Sequence, residues 1–283
     1  MTKKQENSDI RAAVRKHYGA AITQSSKGCC GSGAGTPAGG SYAHLAGYTP
    51  EELATMPESV TTFGCGNPTT FAEMQPGEVV LDLGSGAGMD LILASRKVGP
   101  TGKVIGLDMT PEMIKAANDN LRKAGIANFE IRQGEMEQMP VADGEVDWII
   151  SNCVINLSPD KAKVFAEAYR VLKLGGRMLV SDIVTHHLPE AVRKDIAAWV
   201  ACVGGAVEED EYIRLVKLAG FEQVEVVDRL IYDEVSIKSM FCDSTCCGPQ
   251  PISLDTRPNS LTEPNIGSLV GKIASIKLSA RKP

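Results

Sequence analysis

The sequence is poor in the features that mark nucleic-acid-binding and membrane proteins. Aromatic side chains make up only 5% of its 283 residues, too few for a base-stacking platform. The net charge is −6, and the Lys and Arg residues are scattered, whereas a phosphate-binding face needs them clustered. No apolar run approaches the ~18–20 residues of a membrane span. We therefore expect neither a nucleic acid nor a membrane as a partner.

The first residues, MTKKQENSD, also lack the apolar core of a signal peptide. We expect a cytoplasmic protein, in which the eight cysteines stay reduced and form no disulfide framework. Two adjacent pairs, Cys29-Cys30 and Cys246-Cys247, lie in polar stretches rich in Gly or Pro. Such pairs suit capture of a soft ion or redox exchange better than core packing.

Strand-like and helix-like segments alternate from Glu78 onward, which predicts an α/β fold with a doubly wound, mostly parallel, Rossmann-like sheet. One predicted helix covers 159–174 and stops at Gly175-Gly176, and a strand follows at 177–183. Another helix is predicted over 189–202, and the segment 273–280 is predicted as a final antiparallel strand. We divide the chain into an N-terminal helix and flexible Cys loop (1–60), a core (61–234) and a Cys-containing C-terminal region (235–283).

The stretch VVLDLGSGAGMD places Gly84, Gly86 and Gly88 in the turn between the first strand and the first helix of the core. Glycines at such a turn let the backbone approach a ligand closely. Asp108 ends the second strand, where a carboxylate can hold ribose hydroxyls. Gly-x-Gly alone is weak evidence, because nicotinamide-dependent enzymes share this plan.

Three details favour S-adenosylmethionine over a nicotinamide cofactor. Asp82 lies inside the first strand, where it can face the amino acid end of the cofactor. The glycine spacing is G-x-G-x-G, not G-x-G-x-x-G, and Glu135 follows the third strand, where an adenine amino group needs an acceptor. The predicted cofactor-binding residues are Asp82, Gly84, Ser85, Gly86, Gly88, Asp108, Met109, Glu135, Met136 and Asn152.

Three isolated cysteines lie beside glycines or strand ends. Cys153, in SNCVINL, follows the fourth strand at the rim where ligands bind in open α/β sheets, while Cys65 lies in FGCGNP and Cys202 in ACVGGA. Polarisable metals and metalloids select such sulfur ligands. The alternative is that each cysteine is a small buried hydrophobe, the usual fate of a free cysteine. An oxygen or carbon acid substrate would instead need a general base. His186 and His187 follow the fifth strand and could serve, although adjacent histidines in a polar turn are more often solvated.

The segments FGCGNP, SNCVINL and ACVGGA, with vicinal cysteines near the N-terminus, resemble the arsenite S-adenosylmethionine methyltransferase family of class I methyltransferases. The likeness runs from about Tyr48 to Asp228. It implies that Cys65, Cys153 and Cys202 bind arsenic(III) as thiolates. It also implies a further relay thiol in the Cys29-Cys30 pair, with Cys30 as the candidate.

The same resemblance implies arsenite or its thiol conjugates as the substrate. It also implies that oxidised enzyme cysteines are reduced again by thioredoxin or glutathione. Arsenic bound to three sulfurs keeps a lone pair, so methyl transfer to it needs no general base.

Three rival functions remain at this point. A small-molecule C- or O-methyltransferase would use the same core but would not depend on its cysteines. A zinc or thiol-redox binding protein is also possible, because Cys242, Cys246 and Cys247 would supply part of a zinc site, although the sequence contains no C-x-x-C pair. A nicotinamide-dependent oxidoreductase is the weakest rival.

Overall fold

The computed structural model describes residues 3–25, 47–57, 59–60, 64–241 and 267–283. The predicted Cys loop with Cys29 and Cys30 lies outside these residues, as do Cys242, Cys246 and Cys247. No helix in the described ranges is long and apolar enough to cross a membrane.

The core is a seven-stranded sheet in the order β3-β2-β1-β4-β5-β7-β6. Strands β1 to β5 are mutually parallel, whereas β7 runs antiparallel to both β5 and β6. The strand order reverses between β1 and β4, which is the switch point where open α/β sheets bind ligands. The strands are β1 (Val79–Leu83), β2 (Lys103–Asp108), β3 (Phe129–Gln133), β4 (Val146–Asn152), β5 (Leu172–Thr185), β6 (Glu222–Ile231) and β7 (Ile273–Arg281).

Helices connect the parallel strands and cover both faces of the sheet. They are α1 (Lys3–Ser25), α2 (Pro50–Ala54), α3 (Met89–Val98), α4 (Pro111–Lys123), α5 (Lys161–Val171), α6 (Glu190–Arg193), α7 (Ile196–Val200), α8 (Glu209–Leu218) and α9 (Glu234–Phe241). Helix α2 begins with a capping box between Thr49 and Glu52, with Pro50 at its first position. Short 3-10 turns cover Pro68–Phe71, Ile155–Leu157 and Gly267–Leu269.

Two apolar layers lie on opposite faces of the sheet. One joins α5 and α8 to the sheet around Phe165, Tyr212 and Val216. The other joins α3 and α4 around Leu91, Ile92 and Leu121. Because both faces are covered, the central strands β1, β2 and β4 are buried along most of their length, as is usual in parallel sheets.

The predicted α/β class and parallel sheet are confirmed, and so is the antiparallel orientation of the last strand. That strand does not lie at an edge, because β7 is inserted between β5 and β6. The predicted end of the helix over 159–174 is wrong. Helix α5 ends at Val171, and β5 already begins at Leu172, where it pairs with Val146 of β4. Gly175, with a φ of 79°, lies inside β5 near the register shift of this pairing.

The helix predicted over 189–202 is divided in two, α6 and α7. Asp195 lies between them, and its Oδ1 atom accepts a hydrogen bond from the backbone N of Ala198 at 3.3 Å. A side-chain acceptor at this position caps a new helix and so ends the preceding one. Helix α7 stops before Cys202.

Candidate active site

The glycine turn between β1 and α3 has the close-approach geometry that the sequence predicts. Gly84, Gly86 and Gly88 all have positive φ, at 65°, 51° and 90°. A Cβ at Gly84 would lie 2.3 Å from a methyl of Val154, whereas a Cβ at Gly86 would meet only the Gly84 carbonyl oxygen, at 3.9 Å. Packing within the described protein therefore requires glycine at position 84, while position 86 faces open space.

One pocket collects most of the predicted cofactor-binding residues at the carboxyl ends of the strands. Its lining includes Gly84, Ser85, Gly86, Asp108, Met109, Glu135, Met136, Asn152 and Cys153. Asp82 and Gly88 lie outside this lining, the first buried in β1 and the second at the N-cap of α3. The Ser85 hydroxyl is buried and has no hydrogen-bond partner within the described residues.

Three carboxyl groups surround the glycine turn. Burial raises the pKa of Asp82 well above its usual value, and the neighbouring Asp90 and Asp108 raise it further. Burial also raises the pKa of Asp90, to about 6, against hydrogen bonds from Tyr48 and Asn152. Asp108 accepts hydrogen bonds from the backbone N of Gly86 at 3.0 Å and of Thr110 at 2.8 Å, yet burial raises its pKa too. A ligand carrying positive charge would relieve these penalties, which fits the sulfonium and ammonium groups of S-adenosylmethionine.

Helix α1 closes one side of the pocket through Arg11, Val14 and Tyr18. The Arg11 guanidinium forms ion pairs with Glu135, at 3.3 Å, and with Glu137, at 2.8 Å. Glu135, the predicted adenine acceptor, lies beyond the end of β3 at Gln133 and shares its carboxylate with Arg11.

The three isolated cysteines meet in one apolar cluster at the same end of the sheet. Cys153 and Cys202 are buried members of this cluster, and the half-buried Cys65 packs against it. The Cys202 thiol donates a hydrogen bond to the Cys153 carbonyl oxygen at 2.8 Å. The Cys65 sulfur lies 4.0 Å from the Ser181 hydroxyl, and the Tyr18 hydroxyl lies 3.8 Å from the Cys202 sulfur. Segments far apart in the chain thus bring three thiols together.

Two of these cysteines have a left-handed backbone, with φ of 62° at Cys153 and 63° at Cys202. Cys153 directly follows β4, because the strand continues through Asn152, which pairs with Ser181 of β5. The Cys153 backbone N then donates to the Ser181 carbonyl oxygen at 2.7 Å. Non-glycine residues held in this conformation cluster at functional sites.

The turn after Cys153 is supported by a buried lysine and by the segment that carries Cys202. Lys161 Nζ donates to the carbonyl oxygens of Asn156 at 3.4 Å and Ser158 at 3.2 Å. Trp199 Nε1 donates to the carbonyl oxygen of Leu157 at 3.3 Å. Burial lowers the pKa of Lys161 to about 8. These contacts tie the two left-handed cysteine segments to each other.

The environment of Cys153 favours the protonated form of its thiol. Burial raises the pKa of the Cys153 thiol well above its usual value, and its hydrogen bonds with Cys202 and Cys65 act in the same direction. Among the described residues, no three His, Cys, Asp or Glu side chains are arranged as a formed metal site. The thiols adjoin one another, but the Cys202 thiol is directed at a carbonyl oxygen.

The chain is similar to known methyltransferases. A family model described as a methyltransferase domain matches residues 74–220. A crystal structure of an arsenic(III) S-adenosylmethionine methyltransferase from Chlamydomonas reinhardtii is similar with a TM-score of 0.60 and 31% sequence identity. The match covers 88% of this chain and 74% of that chain. The chain belongs to the arsenic(III) S-adenosylmethionine methyltransferase family. Its fold is the class I methyltransferase fold, and the methyl donor of the family is S-adenosylmethionine.

Curated relatives agree with membership in this methyltransferase family. The arsenite methyltransferase of Halobacterium salinarum is 45% identical over 235 residues, which are 78% of this chain and 59% of the relative. The Homo sapiens arsenite methyltransferase is 33% identical over 231 residues, 76% of this chain and 59% of the relative. The chain therefore spans about three fifths of the length of these relatives.

Sequence reasoning missed three residues of this methyltransferase pocket. Asp90 stands two positions after Gly88, and an acidic residue in the first turn of a helix was the available signal. Arg11 and Tyr18 lie on α1, and no local pattern indicates which part of the sheet that helix covers. The alternative general bases His186 and His187 do not line the pocket; their side chains are 54% and 94% exposed and face Glu208.

Proposed function

We propose that this chain transfers the methyl group of S-adenosylmethionine to arsenic(III) bound by the thiolates of Cys65, Cys153 and Cys202. The observation that carries the proposal is the juxtaposition of two sites. The three cysteines adjoin one another in one cluster, and Cys153 also lines the pocket that contains the glycine turn and Asp108. A substrate atom held by these thiols is therefore next to the proposed methyl donor.

The proposed cofactor contacts follow from the same pocket. Ser85, Met109 and Met136 line it beside Gly84 and Gly86. Gly88 fixes the start of α3. Asp108 and Glu135 line the pocket with carboxyl groups, and the buried Asp82 neighbours Asp90 and Asp108. When bound there, S-adenosylmethionine supplies the methyl group from a positively charged sulfonium, which the buried carboxyl groups favour electrostatically.

The thiol cluster suits a soft, thiophilic substrate atom better than a hard one such as oxygen. Burial favours the protonated form of the Cys153 thiol, so each As–S bond forms as the thiol proton passes to the displaced hydroxide or thiolate, which leaves as water or as a free thiol. The site then needs no general base, which agrees with the exposure of His186 and His187. Holding the substrate in position contributes much of the rate in such reactions, up to about 7–11 kcal/mol.

We also propose the location of the protein, its substrate and reductant, and the division of its chain. We place the protein in the cytoplasm, with arsenite or its thiol conjugates as substrate and thioredoxin or glutathione as reductant. Cys30 is the proposed relay thiol. We propose the division into residues 1–60, 61–234 and 235–283, in which β7 of the last region pairs with β5 and β6 of the second.

The test is methyl transfer from labelled S-adenosylmethionine to arsenite with a thiol reductant, for the wild type and for Cys65→Ser, Cys153→Ser and Cys202→Ser. We expect each substitution to lower kcat/KM by at least about 100-fold, because a misplacement of about 1 Å alone can have that effect. Titration with S-adenosylmethionine is the control, since none of the three thiols is proposed to bind it. Cofactor binding without any arsenic product in the wild type would leave a methyltransferase with another substrate.

A further inference from the structure

The carboxamide of Asn152 forms two of its hydrogen bonds with the segment that carries Cys65. Its Oδ1 atom accepts a hydrogen bond from the backbone N of Gly66 at 3.1 Å, and its Nδ2 atom donates to the carbonyl oxygen of the same Gly66. Nδ2 also lies 2.9 Å from the Tyr48 hydroxyl and 3.2 Å from Asp90 Oδ2. The side chain thus pairs with both backbone groups of one residue, as a neighbouring strand would.

Close packing around Cys65 shows that its segment is built to lie against Asn152. A Cβ at Gly64 would lie 2.2 Å from Asn152 Cγ, and a Cβ at Gly66 would lie 1.9 Å from Ser181 Oγ. Asn152 and Ser181 are register partners on β4 and β5, so they present one platform to the segment. The Ser275 hydroxyl of β7 donates to the Cys65 carbonyl oxygen at 3.2 Å. Glycine on both sides of Cys65 permits this approach.

The hydrogen-bonding capacity of the amide argues against cofactor binding by Asn152. A carboxamide has two N–H donors and one carbonyl acceptor. Gly66 occupies one donor and one of the two lone pairs of the carbonyl oxygen, while Tyr48 and Asp90 compete for the other donor. Although Asn152 lines the pocket, its donors are therefore already committed to protein atoms.

We propose that Asn152 is a positioning residue that holds Cys65 beside Cys153, and that it is not a cofactor ligand. Gly66 immediately follows Cys65, and Cys153 immediately follows Asn152, so one side-chain bridge fixes the separation of two proposed arsenic ligands. Tyr48 and Asp90 extend this link to the first turn of α3, next to the glycine turn. The role rests on the proposed function, since Cys65 is a substrate ligand only there.

The experiment compares Asn152→Ala with the matched variant Tyr48→Phe, which removes one partner of the amide but keeps both bonds to Gly66. The rate of N-ethylmaleimide labelling is followed for each cysteine by mass spectrometry after cleavage at glutamates. That cleavage separates Cys65 (59–73), Cys153 (146–167) and Cys202 (191–208) into different peptides. S-adenosylmethionine affinity is measured in parallel by titration.

We expect Asn152→Ala to raise the labelling rate of Cys65 by about tenfold, the effect of losing one or two net hydrogen bonds on a local opening equilibrium. Cys153 and Cys202 should be labelled at the wild-type rate, and Tyr48→Phe should change the Cys65 rate by less than about twofold.

An unchanged Cys65 rate together with weakened cofactor binding would overturn the proposal and make Asn152 a cofactor ligand. A parallel rise at all three cysteines would also overturn it, because it would indicate a general structural role. Labelling does not depend on arsenic chemistry, so failure of the proposed function would leave this result readable.

Discussion

The glycine turn and the thiol cluster use the same backbone conformation in opposite ways. Gly84, Gly86 and Gly88 have positive φ at almost no steric cost, because glycine lacks a Cβ. Cys153 and Cys202 have nearly the same φ with a Cβ present, at a cost of roughly 1–2 kcal/mol each. The conformation of the turn is therefore determined by its own residues. The conformation of the two cysteines in the thiol cluster is instead imposed by tertiary contacts.

Hydrogen bonds hold both cysteines in this conformation. The Cys153 backbone is held by the Ser181 carbonyl oxygen, and Cys202 is held by its own bonds to Trp199 and to the Cys153 carbonyl oxygen. Strain of this kind persists only where the surroundings determine it. We infer that the requirement for a thiol at these two positions outweighs the backbone preference.

The two regions also differ in the ionisable groups that they bury. The cofactor side buries carboxyl groups, and the substrate side buries thiols, and burial raises the pKa values of Asp90 and Cys153. The penalty on the carboxylates is relieved by a cation, and the penalty on the thiolates by a soft metalloid that bonds to them. Each region therefore suits the ligand that we propose for it, a cationic cofactor beside the carboxyl groups and a soft metalloid beside the thiols.

The largest expected effect is a difference in stability between alanine substitutions at two glycines of the turn. Gly84→Ala should destabilise the protein by about 2–5 kcal/mol, the sum of about 1–2 kcal/mol for a side chain at positive φ and about 1–3 kcal/mol for the overlap with Val154. Gly86→Ala, with open space around its Cβ, should cost only the first of these. Urea unfolding without cofactor measures both, and equal losses would contradict the packing role of Gly84.

A smaller effect concerns the buried Asp90. Its pKa of about 6 exceeds the value of about 3.9 in an unfolded chain, so the folded protein holds a proton that the unfolded chain has released between these pH values. Asp90 therefore contributes stability below pH about 4 that is lost as the pH rises through 6. The free energy of unfolding therefore declines over this pH range, and Asp90→Asn should reduce the decline by up to about 3 kcal/mol.

The measurement is urea unfolding at pH 4, 5, 6 and 7. Asp119→Asn, on the exposed face of α4, is the matched substitution and should keep the wild-type pH dependence. Asp82, Asp108 and Asp182, whose pKa values burial also raises, remain in both variants and contribute to the rest of the decline. An unaltered pH dependence in Asp90→Asn would show that Asp90 stays ionised in the folded protein.

The contrast between the regions also explains how far the sequence predicts the structure. Asp82, the glycines and Asp108 follow from the strand–turn–helix pattern, because their geometry is set by adjacent residues. The clustering of Cys65, Cys153 and Cys202 agrees with the placement expected from the family resemblance, but their left-handed backbone has no local signal. Arg11 and Tyr18 were missed because nothing in the sequence of α1 gives the position of this helix on the sheet.

The smallest expected effect tests the strain at Cys153 directly. Alanine and glycine both remove the thiol, but only alanine keeps a Cβ at a φ of 62°. Cys153→Gly should therefore be more stable than Cys153→Ala by about 1 kcal/mol, the reverse of the usual order of these residues in regular structure.

Ser158, five positions further along and buried with an ordinary φ of −76°, provides the matched pair. Ser158→Gly should be less stable than Ser158→Ala by about 0.5–1 kcal/mol. Urea unfolding of the four variants gives both differences, and neither depends on which substrate the thiols bind. If alanine were the more stable replacement at both positions, Cys153 would be relaxed in its left-handed conformation. The thiol cluster would then need no more support from tertiary contacts than the glycine turn does.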